Sequence, residues 1–312
     1  MEQILIIKHG ALGDFVISLG DIRLIREYHP EARLTLVTMR PFVELAQQTG
    51  FFSDIIVDNR PSSWNFFKWG KTCINIARRG FDIIYDLQQS NRTRKRYFPT
   101  IRWFSSHPFQ WAQLSRSKGM EYLSITKHKA FGFGSSSSTL VPFPKLKTDL
   151  SFLRGSGEYF SELPERYVLL IPGCSPNHPY KRWPVSHYIK LVGMLAREGV
   201  HSVVLGTNAE ANEVNAIAAS SDMAINFLNK SKLSDIPDIV LKSLAVVGND
   251  TGPTHMAVLC NKLTVGLFCT KTEKSAPSSN CFVKLVADNI ASIPPEQVME
   301  KIRSSIINQP SI

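Results

Sequence analysis

The first apolar block, Ile4 to Ile7, is short and unbroken and ends at Gly10-Ala-Leu-Gly13-Asp14. Such a run predicts a strand buried on both faces. Apolar residues then recur at Phe15, Leu19, Ile22 and Ile25, a helical spacing that Pro30 closes. The alternation continues with strands at 34–38, 54–57 and 82–87 and helices at 42–48 and about 69–78. Strands alternating with helices predict an open parallel sheet covered by helices. Residues 104–165 are less regular: 132–139 reads as a loop, and Pro142, Pro144 and Pro164 punctuate the stretch. The pattern then starts again. Strands are predicted at 167–171, 202–205, 245–247 and 263–268. Helices are predicted after Trp183-Pro184, at 210–219 and at 255–259. The expectation is α/β, with two doubly wound domains, 1–162 and 163–312, facing across a cleft. Ligands bind at the carboxyl ends of the strands in such folds.

The length of 312 residues suits two domains, and 43% hydrophobic with 20% charged residues suits a globular core. No apolar run approaches the roughly 18 residues of a membrane-spanning helix. The first run is also shorter than a signal peptide's core of about 7–15 residues, so a cytoplasmic protein is expected. The cysteines are five in number and none are spaced C-x-x-C. That argues against a disulfide framework and a zinc knuckle.

Charge divides the chain. Residues 1–150 hold 21 basic and 12 acidic side chains, whereas 151–312 hold 15 and 14. Within 91–129 there are nine Lys or Arg and one acid, Glu121. A field concentrated in this way attracts an anion, whether nucleic acid, anionic lipid or an acidic substrate.

Several chemistries are excluded by absence. No G-x-G-x-x-G follows the first strand, and neither G-x-x-x-x-G-K-[ST], H-E-x-x-H nor G-x-S-x-G occurs. Nor does any Asp-x-Asp pair, with which many metal-dependent sugar transferases hold a nucleotide diphosphate. A phosphate site without a metal is expected instead.

Five constellations remain. In Gly10-Ala-Leu-Gly13-Asp14 the glycines allow a tight turn and close approach of a ligand. Asp14 there is either a general base for a hydroxyl nucleophile or a helix cap, and His9 is a neighbouring candidate base. Gly248-Asn-Asp250-Thr251-Gly252-Pro253-Thr254-His255 opens a helix after a strand, where free amides and the helix dipole favour an anion. Thr251, Thr254 and His255 add donors there, and Asp250 either accepts from a sugar or fixes the turn. Between Pro172 and Pro184, Ser175 is a candidate phosphate or sugar contact. Lys181 or Arg182 can neutralise a diphosphate without a metal, while Trp183 packs the helix start. Glu210, in Gly206-Thr-Asn-Ala-Glu, suits a ribose hydroxyl pair or an exposed helix start. Finally, Asp86 to Arg96 brings Arg92, Arg94, Lys95 and Arg96 to a strand end. The nearby aromatics Tyr97, Phe98, Trp103, Phe104 and Trp111 either cover a sugar or pack.

Taken in order, Gly10–Asp14, Lys181-Arg-Trp-Pro184, and Asn249–His255 followed by Val265-Gly-Leu-Phe268 resemble glycosyltransferase family 9, the ADP-heptose:lipopolysaccharide heptosyltransferases. The resemblance runs from Ile4 to about Phe268. It implies a GT-B fold, with an acceptor-binding N-terminal and a sugar-nucleotide-binding C-terminal Rossmann-like domain. It also implies that a helix at 295–312 packs back on the first. It makes Asp14 the general base, Lys181 the phosphate-binding lysine, and Asp250, Thr251, Gly252 and His255 the donor segment. It places Glu210 on the donor's ribose. Ser175 and Thr254 complete the expected donor contacts, and Gly13, Arg92, Arg94, Lys95 and Arg96 the acceptor contacts. No metal or cofactor is implied beyond the nucleotide-sugar co-substrate, ADP-heptose. The expected reaction is inverting transfer to an anionic lipopolysaccharide-core glycolipid, with peripheral contact at the inner face of the cytoplasmic membrane. The alternatives are a sugar-nucleotide epimerase of the same fold, a transferase that binds donor without turnover, and a nucleic-acid binder using 91–129. Donor-type motifs in the second half weigh against nucleic acid.

Overall fold

The computed structural model describes residues 1–58, 66–117, 120–128, 137–142, 149–150, 153, 157, 160–175, 177–273 and 279–307. The chain divides into two units, Met1–Thr148 and Asp149–Ile312.

The first unit runs β1 (Gln3–Ile7), α1 (Leu12–Tyr28), β2 (Arg33–Thr38), α2 (Val43–Gln48), β3 (Asp54–Val57), α3 (Phe66–Arg79), β4 (Ile83–Asp86) and α4 (Phe98–Phe104). It ends with β5 (Phe109–Ser117), β6 (Met120–His128) and β7 (Ser137–Pro142). The sheet order is β3-β2-β1-β4-β5-β6-β7. Pairings from β3 to β5 are parallel, and those of β6 with β5 and β7 are antiparallel. Ile4 to Ile7 of the central strand are wholly buried, as their unbroken apolar run predicts. The antiparallel strands correct the sequence reading of 104–165 as irregular. Of the expected loop at 132–139, residues 137–139 belong to β7 and the rest lie outside the described residues.

The second unit runs β8 (Tyr167–Ile171), α5 (Val185–Arg197), β9 (His201–Gly206), α6 (Ala211–Ala218), β10 (Ala224–Leu228), α7 (Ile236–Lys242), β11 (Ala245–Asn249), α8 (Gly252–Leu259), β12 (Thr264–Cys269), β13 (Phe282–Ala287) and α9 (Pro295–Ile307). All pairings in its sheet, ordered β10-β9-β8-β11-β12-β13, are parallel. The division falls after Thr148, earlier than the expected 162. Leu150 and Leu153 are buried, and the Leu150 amide donates to the Leu259 carbonyl at 2.9 Å, tying this segment to α8. The helix expected to pack back on the first domain sends Val298, Met299, Ile302 and Ile306 into the core of the second unit. Residues 308–312 lie outside the described residues.

Both sheets reverse direction beside their first strand. β1 lies between β2 and β4, and β8 lies between β9 and β11. Chain order changes there, and the loops leaving the two adjacent strands diverge to opposite faces. A crevice opens at their carboxyl ends. In the first unit these are the loops after β1 and β4, and in the second those after β8 and β11. Four of the five constellations fall on these loops.

Candidate active site

In the first unit the loop after β1 is pinned by the loop after β4. The Gln88 side-chain Oε1 accepts from the amides of His9 at 2.9 Å and Gly10 at 3.3 Å. Gly10 has φ +121°, a left-handed conformation that glycine adopts without strain, and Phe42 packs over its Cα. The helix that follows has Ala11 as its N-cap. Asp14 sits in its first turn and is exposed, so it does not fill the capping role that was its structural alternative. Gly13 beside it is half-buried. Lys8, at the end of β1, donates to the Leu87 carbonyl at 3.2 Å. Burial pushes its ammonium below the usual range, and Asp14, Asp21 and Asp86 oppose that shift.

His9 is buried with its Nε2 3.0 Å from Asp58, so it serves as an internal pair and not as an exposed base. Asp86 is wholly buried, and burial pushes its carboxyl above the usual range. It accepts from the Gln89 amide at 2.9 Å and Gln113 at 3.1 Å. It therefore shapes the loop carrying the basic residues. In that segment a π-helical turn, Thr93–Tyr97, leads into α4. Arg92 is half-buried, Arg94 and Lys95 are exposed, and Arg96 lies over the Trp69 ring at 5.7 Å. The four basic residues therefore do not converge on one point. Of the aromatics, Tyr97 and Trp111 are core residues and Phe98 packs edge-on to Trp111 at 4.9 Å, whereas Trp103 and Phe104 are exposed.

In the second unit three segments meet. Lys181 Nζ lies 2.7 Å from Asp250 Oδ2, and His255 Nε2 lies 3.0 Å from Asp250 Oδ1. Burial pushes the Asp250 carboxyl up, but hydrogen bonds from His255 and Lys181 outweigh it and hold it at about 2. The carboxylate thus stays charged in any ordinary assay. The stability it contributes is present above about 4 and lost as pH falls toward 2. Asp250 fixes Lys181 at the start of α8, and a lysine has three N–H donors, so two remain for a ligand. His255 orients Asp250, with its ring parallel to Phe268 at 6.4 Å. Arg182, the other cation the sequence leaves open, is tied to Glu213 and to Cys174 Sγ.

Thr251 is the N-cap of α8 but its side chain makes no cap bond. The amides of Gly252 and Thr254 have no acceptor within the helix, and Pro253 has no N–H. The Thr254 hydroxyl faces inward against Gly248 and is wholly buried, so it provides close helix–strand packing and not the exposed donor expected. A Cβ on Gly248 would also lie 3.0 Å from Ile171 Cβ. Gly248→Ala should therefore lower stability by about 1–3 kcal/mol through overpacking, read as a fall in Tm. Ser175 is exposed on the loop after β8. The carboxylate of Glu210 lies over Gly173, where a Cβ would meet its Cγ at 2.7 Å. Glu210 Oε2 accepts from the Thr207 amide and hydroxyl at 3.0 and 2.7 Å. Oε1 is left toward Gly173, beside the loop that carries Ser175.

Two residues that the sequence reading passed over hold this arrangement. Gln88 fixes the glycine turn of the first unit. Asn249, wholly buried, accepts from the Trp183 amide at 3.1 Å and donates to the Pro172 carbonyl at 2.7 Å. Both lie inside quoted segments, but an amide side chain has no chemical signature that separates a clamp from a surface residue. Trp183 is buried, with Nε1 donating to the Ile293 carbonyl at 2.9 Å, so it packs as expected. Among the described residues no three His, Cys, Asp or Glu side chains converge as a metal site requires.

Residues 104–303 match the family model for glycosyltransferase family 9 (heptosyltransferase). The chain is 30% identical to lipopolysaccharide heptosyltransferase 2 of Escherichia coli over 138 residues, which is 41% of this chain and 39% of that protein. It is 20% identical to the lipopolysaccharide core heptosyltransferase OpsX of Haemophilus influenzae over 96% of this chain and 87% of that one. The matched stretches span between 26% and 39% of the length of three curated heptosyltransferase 2 relatives. The solved E. coli ADP-heptose lipopolysaccharide heptosyltransferase II superposes with a TM-score of 0.69 at 17% identity, covering 98% of this chain and 99% of that one. At that identity the likeness speaks to fold, and the fold is the two-sheet GT-B arrangement.

Proposed function

The chain belongs to glycosyltransferase family 9, and from that premise we propose that it transfers a heptose from ADP-heptose to an anionic lipopolysaccharide-core acceptor, with inversion at the anomeric carbon. The observation that carries this reading is the Lys181–Asp250–His255 cluster at the start of α8. A cation, two amides without helical acceptors and a fixed carboxylate form a site for a diphosphate, and Glu210 beside Gly173 suits a ribose.

In the proposed reaction Asp14 takes the proton of an acceptor hydroxyl as that oxygen attacks the anomeric carbon. The carbon–oxygen bond to the diphosphate breaks, and ADP leaves with its negative charge met by Lys181 and the amides of Gly252 and Thr254. Stabilising that leaving charge supplies much of the acceleration. Arg92, half-buried in the segment after β4, attracts the anionic core of the acceptor. No helix among the described residues is long and apolar enough to cross a membrane, and the proposed place of action is the cytoplasmic face of the membrane. Family membership favours transfer over the epimerase alternative.

A thermal-shift screen against ADP, UDP, GDP and their sugars tests the donor, because a ligand that binds only the folded state raises its stability. ADP and ADP-heptose should raise Tm by several degrees. A larger shift with UDP or GDP would change the donor, and no shift with any nucleotide would overturn the reading.

A further inference from the structure

The basic excess of the first half has a definite place in the fold. Cys73, Ile76 and Ala77 of α3 and Tyr97 and Ile101 of the following helical segment are buried in one core, against Leu5, Ile84 and Trp111 of the sheet. The outer faces of these helices are turned from that core. Residues 66–79 and 90–104 together hold nine Lys or Arg and no Asp or Glu. Lys71, Arg78, Arg94 and Lys95 among them are exposed. So are large aromatics: Phe67 is 92% exposed, Trp103 61% and Phe104 48%. Along α3 the residues Phe67, Lys71, Ile74 and Arg78 form one stripe, and they line a shallow concavity.

Each of the two helices follows one strand of the parallel sheet and precedes the next, so they run in the same direction. Arg96 over the Trp69 ring sets their register. Trp103 lies seven residues beyond Arg96 and Phe67 two before Trp69, so about 13 Å of helix separates the Phe67 end from the Trp103 end. That is wide beside the roughly 3.4 Å step along a nucleic-acid strand, and it suits a flat surface. Aromatic side chains among lysines and arginines, with no carboxylate between them, match the headgroup region of an anionic membrane.

We propose that the outer face of α3 and α4 docks on an anionic lipid bilayer. Phe67, Trp103 and Phe104 enter the headgroup region, and Lys71, Arg78, Arg94 and Lys95 meet the lipid phosphates. The proposal rests on the sugar-transfer reading only for the reason a membrane is needed.

Vesicle sedimentation of the full chain tests it, using phosphatidylglycerol-containing and pure phosphatidylcholine vesicles. Binding is expected to the first, to weaken with salt, and to be slight to the second. A Lys71→Gln/Arg78→Gln variant should lose about thirtyfold in affinity, at about fivefold per charge. Phe67→Ser/Trp103→Ser should lose about tenfold or more. Both variants should keep the wild-type ADP thermal shift, which separates lost docking from lost folding. No binding of the wild type to phosphatidylglycerol vesicles, or variants that bind within about twofold of it, would overturn the proposal. So would a single-stranded oligonucleotide that binds more tightly than the vesicles and depends on the same four residues. Vesicle binding without any nucleotide shift would leave the docking face standing and remove the sugar-transfer reading.

Discussion

Asp14→Asn is expected to lower turnover about a thousandfold while leaving ADP affinity unchanged. A positioned general base contributes roughly 10²–10⁴-fold, and asparagine keeps the shape of the side chain while losing the ability to take a proton. The residue is exposed in the first turn of α1 and is not its N-cap, so stability should move by no more than about 0.5 kcal/mol. The measurement is steady-state transfer with donor and acceptor varied in turn, beside a thermal-shift titration with ADP. Turnover within about tenfold of the wild type would remove Asp14 as the base. A loss confined to ADP affinity would move its role to the donor.

Lys181→Ala should lower kcat/KM by about 10²–10³-fold, the usual loss when a preorganised donor to developing negative charge is removed. The expected loss appears in both ADP binding and kcat, because the leaving group carries more charge on the lysine's side in the transition state than in the bound donor. Asp250 keeps its hydrogen bond to His255 in this variant, so folding should survive with a modest fall in Tm. Lys181→Arg is the informative companion. It keeps the charge on a planar group of different reach, and its partial recovery of kcat would show that position as well as charge matters. An alanine variant with unchanged kcat/KM would remove the lysine from the site.

These expectations draw on residues that the sequence displayed unevenly. Strands buried on both faces were legible because nothing polar interrupts them: Ile4 to Ile7 and Tyr167 to Ile171 are both wholly or almost wholly buried. Two of the strands passed over are at the margins. β10 and β13 border the second sheet on its two edges. Their residues are mostly half-buried, so their apolar runs are broken by Asn226 and Lys284. The β5–β7 meander mixes Ser, Thr, Lys and Arg into its strands, and its antiparallel pairing rests on long registers that one-dimensional reading does not see. At the candidate site, glycines, cations and the helix opening could be read from residue type and order. The contact of Lys181 with Asp250, 69 residues apart in sequence, could not. The inward turn of Thr254 depends on the glycine facing it across the helix–strand gap, a matter of packing and not of residue type.

The clamp made by Asn249 bears on the order in which the molecule is built. Its amide bonds the carbonyl of Pro172, 77 residues earlier, and its oxygen bonds the amide of Trp183, 66 residues earlier. The loop after β8 leaves the ribosome well before the strand that gives it shape. Contacts of such sequence separation form late, after nearby helices and turns have already settled. During synthesis β8, α5 and β9 can therefore assemble while residues 172–183 still lack their final course, and the proposed nucleotide site is complete only once β11 is in place. A nascent chain ending before Asn249 is accordingly expected to carry helical structure but no affinity for ADP.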